Sequence, residues 1–428
     1  METLTEPQRP LTRRRWPPWP RRVDIALLSF FALIIAFCDR VNMAVAAPRI
    51  MQEHHWDTAQ MGWVLSGFFI GYMLFMIPAG LLADRFGPKR VFAWSMAWWS
   101  VFTALTPIPG SLFSLTAVRV LMGTGESGAF PAMNGMLVRW FPRQEYSRVA
   151  GFCWSGGYAG PIIGFPLASA ILALWGWRAV FLAFAFLGLL WLPLWWRTAA
   201  DYPEEARGIS EPELAHIRAS RPELKRAEAV PWAKLVRLPA LWAVLTLHFS
   251  SNWFSYVMIS WLPTYLLVER RFSLSNMAIG TSLPFVFAVL GANLFGALID
   301  RFTLGHDRTR VRKMALLPYA LAAGALLLLP AASSPAATVA LLCSAMGLLT
   351  AATPVYASNS LDLAPRYAGT VVAVQNTMAN VAGVLAPVVV GYVVKLTGWN
   401  AAFWLTAAIS AVGILAFLAF GNAERLVD

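Results

Sequence analysis

Charge is scarce in this sequence, and cysteine and histidine are scarcer. Asp, Glu, Lys and Arg together make up 13% of 428 residues, against 58% hydrophobic, and the mean hydropathy is +0.57. A soluble protein of this length needs far more polar surface, so a soluble globular domain is excluded. The three cysteines, Cys38, Cys153 and Cys343, are scattered through apolar stretches. That spacing gives neither a disulfide framework nor a metal site, and they read as small core side chains. Of the five histidines, His54, His55, His216 and His306 fall in polar connections. No metal cluster and no nucleophile–base set emerges, which argues against an intramembrane enzyme. Alternating strand patterns are missing, which excludes an outer-membrane barrel.

What the chain has is long apolar runs. A bilayer core takes about 20 helical residues. Windows of that length place about twelve spans near 23–47, 60–83, 90–108, 112–138, 147–173, 178–196, 241–267, 276–299, 314–331, 336–357, 368–394 and 400–420. The expected fold class is an all-α membrane protein of two pseudo-symmetric six-helix halves. Residues 1–22 read as a basic tail, 23–197 as the N-terminal half and 198–239 as a polar middle loop; 240–421 form the C-terminal half and 422–428 a second tail. Ser210 followed by Glu213 predicts a capping box for a short helix in the loop. Twenty tryptophans suit membrane interfaces.

The net charge of +12 reads as topology, not as a nucleic-acid surface. Twenty-seven of the 34 Lys and Arg fall on one side of the spans and five on the other; Arg40 and Arg119 lie within spans. The positive-inside rule then places both termini and the middle loop in the cytoplasm. The arginines ahead of the first span mimic a secretory leader, but the apolar stretch is too long and contains Asp39 and Arg40.

The halves echo each other. "GLLADRFG" (80–87) ends the second span and "GALIDRFT" (296–303) the eighth; "GWRAVF" (176–181) opens the sixth and "GWNAAF" (398–403) the twelfth. Two matches at nearly one offset indicate duplication, the architecture of alternating-access transporters. "GLLADRFGPKR" resembles the signature loop of the major facilitator superfamily. The resemblance implies a gating role for Gly80, Asp84, Arg85, Gly87 and Arg90. Gly80 suits close helix contact and Asp84 a neighbouring helix N-terminus. "CDRVNMAVAAPRI", "RVLMGTGESGAFPAMNGMLVRWFPRQE", "HFSSNWFSYVMISWLPTYL" and "LDLAPRYAGTVVAVQNTMANVAGVLAP" resemble the anion:cation symporter family, which includes sialin and bacterial sugar-acid permeases. The family implies organic-anion uptake, in bacteria usually with protons. "YASNSLDLAP" lacks the tryptophan of the sugar-acid permeases, and Gly156 and Gly157 stand near their fifth-span glutamine. A smaller carboxylate or a sulfonate fits these departures better than a hexonate.

Asp39 and Arg40 in the first span, and Arg119 and Glu126 in the fourth, are the chemistry to explain. Each charge at the bilayer centre costs about 2.5–3.5 kcal/mol on insertion scales. Arg119 and Glu126 are two helical turns apart on one face, about 10 Å along the axis. Two acids and two bases make a neutral set. It serves either as salt bridges joining the two spans or as a proton-switched anion site, because an arginine fork grips carboxylates and sulfonates. By resemblance, Arg40 and Arg119 contact the anion or the acids, Asp39 and Glu126 carry protons, and Tyr72 hydrogen-bonds substrate. His248 reads as a proton relay or a helix-bridging histidine. Asn252, Tyr256, Asn376 and Asn380 read as cavity wall or as polar bridges. Gly123, Gly125 and Gly128 thin the fourth span, Gly156, Gly160 and Gly164 let the fifth pack tightly, and Pro131, Pro161 and Pro263 suggest kinks.

The expectation is a monomeric, multi-pass carrier in a bacterial inner membrane. Its partners would be a small organic anion, protons and the lipid bilayer, with no cofactor, metal or nucleic acid. A polyspecific exporter and a sodium-coupled carrier are the alternatives.

Overall fold

The computed structural model describes residues 19–219 and 230–424. Residues 1–18, 220–229 and 425–428 lie outside the described residues. With them go parts of both tails and of the middle loop, and Arg9, Arg13, Arg14, Arg15, Arg221, Lys225, Arg226 and Arg425 of the charge asymmetry. The described residues are almost wholly helical and contain no strand. The first half comprises α1 (Arg21–His54), α2 (Thr58–Phe86), α3 (Pro88–Leu105), α4 (Leu112–Glu126) running into α5 (Ala129–Trp140), α6 (Arg143–Trp175) and α7 (Trp177–Thr198). Two short helices, α8 (Glu211–Arg218) and α9 (Trp232–Leu235), follow. The second half comprises α10 (Pro239–Thr264), α11 (Leu274–Thr303), α12 (Arg308–Met314) with α13 (Leu317–Leu328), α14 (Pro335–Leu349) with α15 (Ala352–Leu363), α16 (Ala368–Thr397) and α17 (Trp399–Phe420).

Eight helical stretches are long and apolar enough to cross a membrane. The elements α1, α3, α4–α5 and α10 complete the twelve. α1 carries Asp39 and Arg40 in an otherwise apolar run, and the other three are less apolar or shorter for visible reasons. α3 opens on Pro-Lys-Arg. α4–α5 holds Arg119 and Glu126 and loosens at Ser127–Gly128, while α10 contains "HFSSNWFS".

The duplication is visible in the packing. Within the first half α1 packs on α6, α2 on α4 and α3 on α7; within the second, α10 packs on α16, α11 on α14 and α13 on α17. Between the halves α2 meets α16, α6 meets α11 and α1 meets α10. The first span of each half ends on a left-handed non-glycine residue, His55 (φ 55°) and Arg271 (φ 54°). The last span of each follows a left-handed glycine, Gly176 (φ 82°) and Gly398 (φ 90°), which explains the repeated Gly-Trp.

The segment after each half folds back under it. After α7, the Ala200 carbonyl accepts from Trp140 Nε1 (2.9 Å) and Asp201 Oδ1 accepts from the Lys89 amide (2.9 Å). After α17, the Asn422 carbonyl accepts from Asn359 Nδ2 (3.0 Å) and the Ala423 amide donates to Thr309 Oγ1 (3.0 Å). Ser210 caps α8 by accepting from the Glu213 amide (3.4 Å), but the expected reciprocal half of the box is not made. The Glu213 carboxylate instead accepts from the Arg21 (3.1 Å) and Arg22 (3.0 Å) amides, capping α1, whose own N-cap, Pro20, offers no side-chain acceptor.

Ties between the halves concentrate away from the face that carries Trp19 and Glu424, the ends of the described residues. Thr58 Oγ1 donates to the Gly391 carbonyl (2.8 Å), Ser66 Oγ to Val384 (2.6 Å), and Lys395 Nζ pairs with Asp57 (2.8 Å). Toward the face of Trp19 and Glu424 the halves part. On α16, Asn380 is buried, while Asn376, one turn nearer that face, is exposed. The central space therefore opens on that side.

Candidate functional site

Glycine determines how closely the site's helices approach. A Cβ on Gly71 of α2 would fall 1.9 Å from the Val120 carbonyl oxygen, and one on Gly123 of α4 would fall 2.0 Å from that of Phe68. No other residue permits this crossing, and it lies within one turn of Arg119. Gly156, Gly160 and Gly164 of α6 do the same against α1, where added Cβ atoms would meet Phe30 O at 2.7 Å, Phe37 Cβ at 2.4 Å and Val41 Cγ2 at 2.7 Å. The first crossing fixes Arg119 against α2, and the second fixes the stretch of α1 around Asp39 and Arg40 against α6. The irregularity expected at Pro131 falls just before it, at Ser127–Gly128 directly after Glu126, where the helix loosens for two residues that both keep right-handed helical backbone.

Asp39, Arg40, Arg119 and Glu126 are all buried, none more than 7% exposed. Arg40 Nε donates to Glu126 Oε1 (2.8 Å), with Nη2 2.7 Å from the same oxygen. Glu126 Oε2 has no hydrogen-bond partner. The guanidinium is also surrounded by rings, with centroids 4.5 Å (Phe37), 5.0 Å (Phe68) and 5.0 Å (Tyr72) from Cζ. The second salt bridge of the paired reading does not form: no ion pair within 4.0 Å joins Asp39 to Arg119. Asp39 Oδ1 takes the Asn42 amide (3.1 Å); its buried Oδ2 makes no hydrogen bond within 3.5 Å, with the Trp99 indole N–H, itself unpartnered, the neighbouring donor. Arg119 directs Nη1 at Met122 Sδ (2.8 Å) and leaves Nε unpartnered, while remaining near enough to Asp39 and Glu126 to feel both charges.

Across the space, His248, Asn252 and Tyr256 follow one another at four-residue intervals on one face of α10. His248 stacks on Tyr356 (4.0 Å between centroids), and its Nδ1 is buried without a partner. Asn252 is half-buried. Tyr256 donates to Asn380 Oδ1 (3.1 Å), and its ring lies 4.5 Å from that of Phe69 on α2, in the other half. Asn380 therefore bridges helices, while Asn376 faces the open space. Sequence reasoning missed Asn42, Phe37, Phe68, Met122 and Tyr356. Asn42 and Met122 each stand three residues after the charge they serve, a spacing that could have shown them; Tyr356 gave no local signal.

In the loop after α2 the structure departs from expectation. Helix α2 runs through Asp84 and Arg85 to Phe86. A Cβ on Gly80 would lie 3.9 Å from Pro131 Cβ, an ordinary contact, because α2 and α5 have diverged there. Asp84 is exposed and has no hydrogen bond among the described residues. The N-terminus of α3 is already taken: Asp201, arriving after α7, accepts from the Lys89 amide and crowds Gly87 (φ 88°). Arg85 lies over the Phe86 ring (5.3 Å) and Arg90 is exposed.

The chain matches the Major Facilitator Superfamily over residues 29–387. It is 33% identical to the chloroplastic ascorbate transporter of Arabidopsis thaliana, over 96% of this chain and 77% of that protein. It is 35% identical to the probable sulfoacetate transporter SauU of Cupriavidus necator (95% and 94%), and 29% to human sialin (94% and 90%). Among solved structures, a bacterial homologue of the human lysosomal transporter Spinster, inward-facing and occupied, superposes with a TM-score of 0.77 at 19% identity, over 94% of this chain and 97% of that one. A D-xylose–proton symporter gives 0.73 at 14% identity, over 94% and 98%. The chain is a transporter, not an enzyme, and it belongs to the Major Facilitator Superfamily, in its anion:cation symporter-type group.

Proposed function

We propose that this chain imports a small organic anion with protons, by alternating access around the four buried charges. The observation that carries the reading is the unused carboxylate oxygens, Glu126 Oε2 and Asp39 Oδ2, beside two buried arginines. A proton settles on either oxygen without displacing the bonds already made. Protonating both turns a neutral set into a site of charge +2. Arg40 and Arg119 then hold the anion through charge-assisted hydrogen bonds. Tyr72, next to Arg40, and the α10 face of His248, Asn252 and Tyr256 contact its neutral part, with Asn376 at the exit. Deprotonation restores neutrality and releases the anion. Gly80, Asp84, Arg85, Gly87 and Arg90 act at the gate.

Relatives named for ascorbate, phosphate and sulfoacetate support an anionic cargo. The charge asymmetry supports cytoplasmic termini in a bacterial inner membrane, and the carrier works as a monomer. The deciding experiment is uptake into proteoliposomes of labelled ascorbate, phosphate, sulfoacetate and sugar acids, with and without a proton gradient. Uptake should rise as external pH falls and stop with a protonophore. A sodium arm is included because a relative at 34% identity is named a sodium-dependent phosphate transport protein. Uptake that needs sodium and ignores the proton gradient overturns the proposal.

A further inference from the structure

The folded-back segments leave a pocket under each half, on the face that carries Trp19 and Glu424. Under the first half it is about 560 Å³, between the start of α3 and the last turn of α7 with the residues after it. Under the second it is about 750 Å³, between α12 and the last turn of α17. The two occupy equivalent places in the duplicated fold, but their charges differ. The second balances Arg310 and Lys313 against Asp307 and Glu424. The first gathers Lys89, Arg90, Arg197 and Arg207 against Asp201 and Glu205.

Asp201 is already engaged, by the Lys89 amide and by Arg139 Nη1 at 3.9 Å. Arg90, Arg197 and Arg207 are exposed and have no ion pair within 4.0 Å among the described residues. Three unpaired guanidiniums around one cavity, with an ammonium beside them, form a fork-rich receptor for a phosphate-class anion. The position decides its source. The cavity opens at the end of a membrane-crossing helix, where Leu194 (57%) and Trp196 (53%) are exposed, and Lys89 Nζ lies 5.3 Å from the Trp196 ring. An indole on an apolar flank beside basic residues is the pattern of the headgroup level.

We propose that this first-half pocket binds the headgroup phosphate of an anionic phospholipid, and that its second-half counterpart does not. Native mass spectrometry of the full chain, with dioleoylphosphatidylglycerol and dioleoylphosphatidylcholine in competition, tests it. Wild type should retain the anionic lipid at least fivefold over the neutral one. The combined Arg90→Gln, Arg197→Gln and Arg207→Gln variant should bring the ratio near one, while the same three changed to Lys should keep it within twofold. The Arg310→Gln and Lys313→Gln pair should leave it unchanged. A triple Gln variant that keeps the preference overturns the proposal, as does a triple Lys variant that loses it or a second-half pair that abolishes it. Thermal unfolding supplies the remaining arm. Phosphatidylglycerol should raise the wild-type Tm, and inorganic phosphate at equal concentration should not; an equal rise with phosphate would make this a soluble-anion site.

Discussion

Arg40 and Glu126 meet on a single carboxylate oxygen. Nε and Nη2 of the arginine lie 2.8 and 2.7 Å from Oε1, and Oε2 is left over. Glu126→Gln keeps an acceptor for Arg40 but cannot release a proton. If Glu126 carries the coupling proton, uphill uptake disappears while anion counterflow in liposomes survives. A strut would behave differently. Stranding a buried arginine costs about 3–5 kcal/mol, so expression and counterflow would fall together. The expected result is retained counterflow with lost accumulation.

Arg119 is buried and has few protein partners beyond a thioether sulfur, so donors of its fork are left unused. Arg119→Lys keeps the charge and loses the planar pair of donors. Hydrogen bonds to charged groups contribute about 1.5–3 kcal/mol. Uptake should therefore fall at least about tenfold, with normal insertion and Tm. A lysine form that transports like wild type reduces Arg119 to a counter-charge.

Two glycines on the same pair of spans should answer alanine in opposite ways. Gly123→Ala places a methyl 2.0 Å from a backbone oxygen, which cannot yield, and overpacking of this kind costs about 1–3 kcal/mol. Its Tm should drop. Gly80→Ala meets only Pro131 Cβ at 3.9 Å and should melt as wild type does. Transport by a stable Gly80→Ala protein then reports on gating alone, and full activity there removes Gly80 from the gate.

The Asp57–Lys395 pair should act as a pH- and salt-sensitive latch on the closed end. The Lys395 ammonium, and after it the Gln60 amide, hold the Asp57 carboxyl below the usual carboxylate range. A lowered carboxylate stabilises the closed form above its ordinary pKa, and that contribution is lost as pH falls through the depressed value. Asp57→Asn can still cap α2 but loses the ion pair. The native cysteines lie on α1, α6 and α14, so the probe is a cysteine introduced at Val388 on α16, beside Gly62 of α2. Its labelling should rise in the Asp57→Asn variant at neutral pH, and in the otherwise unchanged protein only in strong acid or high salt. Labelling that is equal in both at neutral pH removes the latch.

Spans, duplication and the buried charges were legible because each rests on local composition. A run of about 20 apolar residues has few soluble explanations, and a charge inside one must find company. The partnerships were not legible. Nothing in the first or fourth span indicates that Arg40, not Arg119, takes Glu126, since helix rotation and the glycine crossings decide it. Ser210 and Glu213 made a convincing box on spacing alone, yet the carboxylate serves a helix that begins 192 residues earlier. Asp201 likewise took the helix end expected for Asp84.

That Glu213 contact has a consequence for biogenesis. The chain is made from its N-terminus, so α1 enters the bilayer with no protein acceptor for its first amides. The residue that satisfies them is synthesised only after all six spans of the first half. Completion of that half is thus recorded at its oldest end, before α10 has been made. A nascent chain arrested beyond α8 should already resist proteolysis near Arg21, whereas one arrested before residue 210 should be cut there.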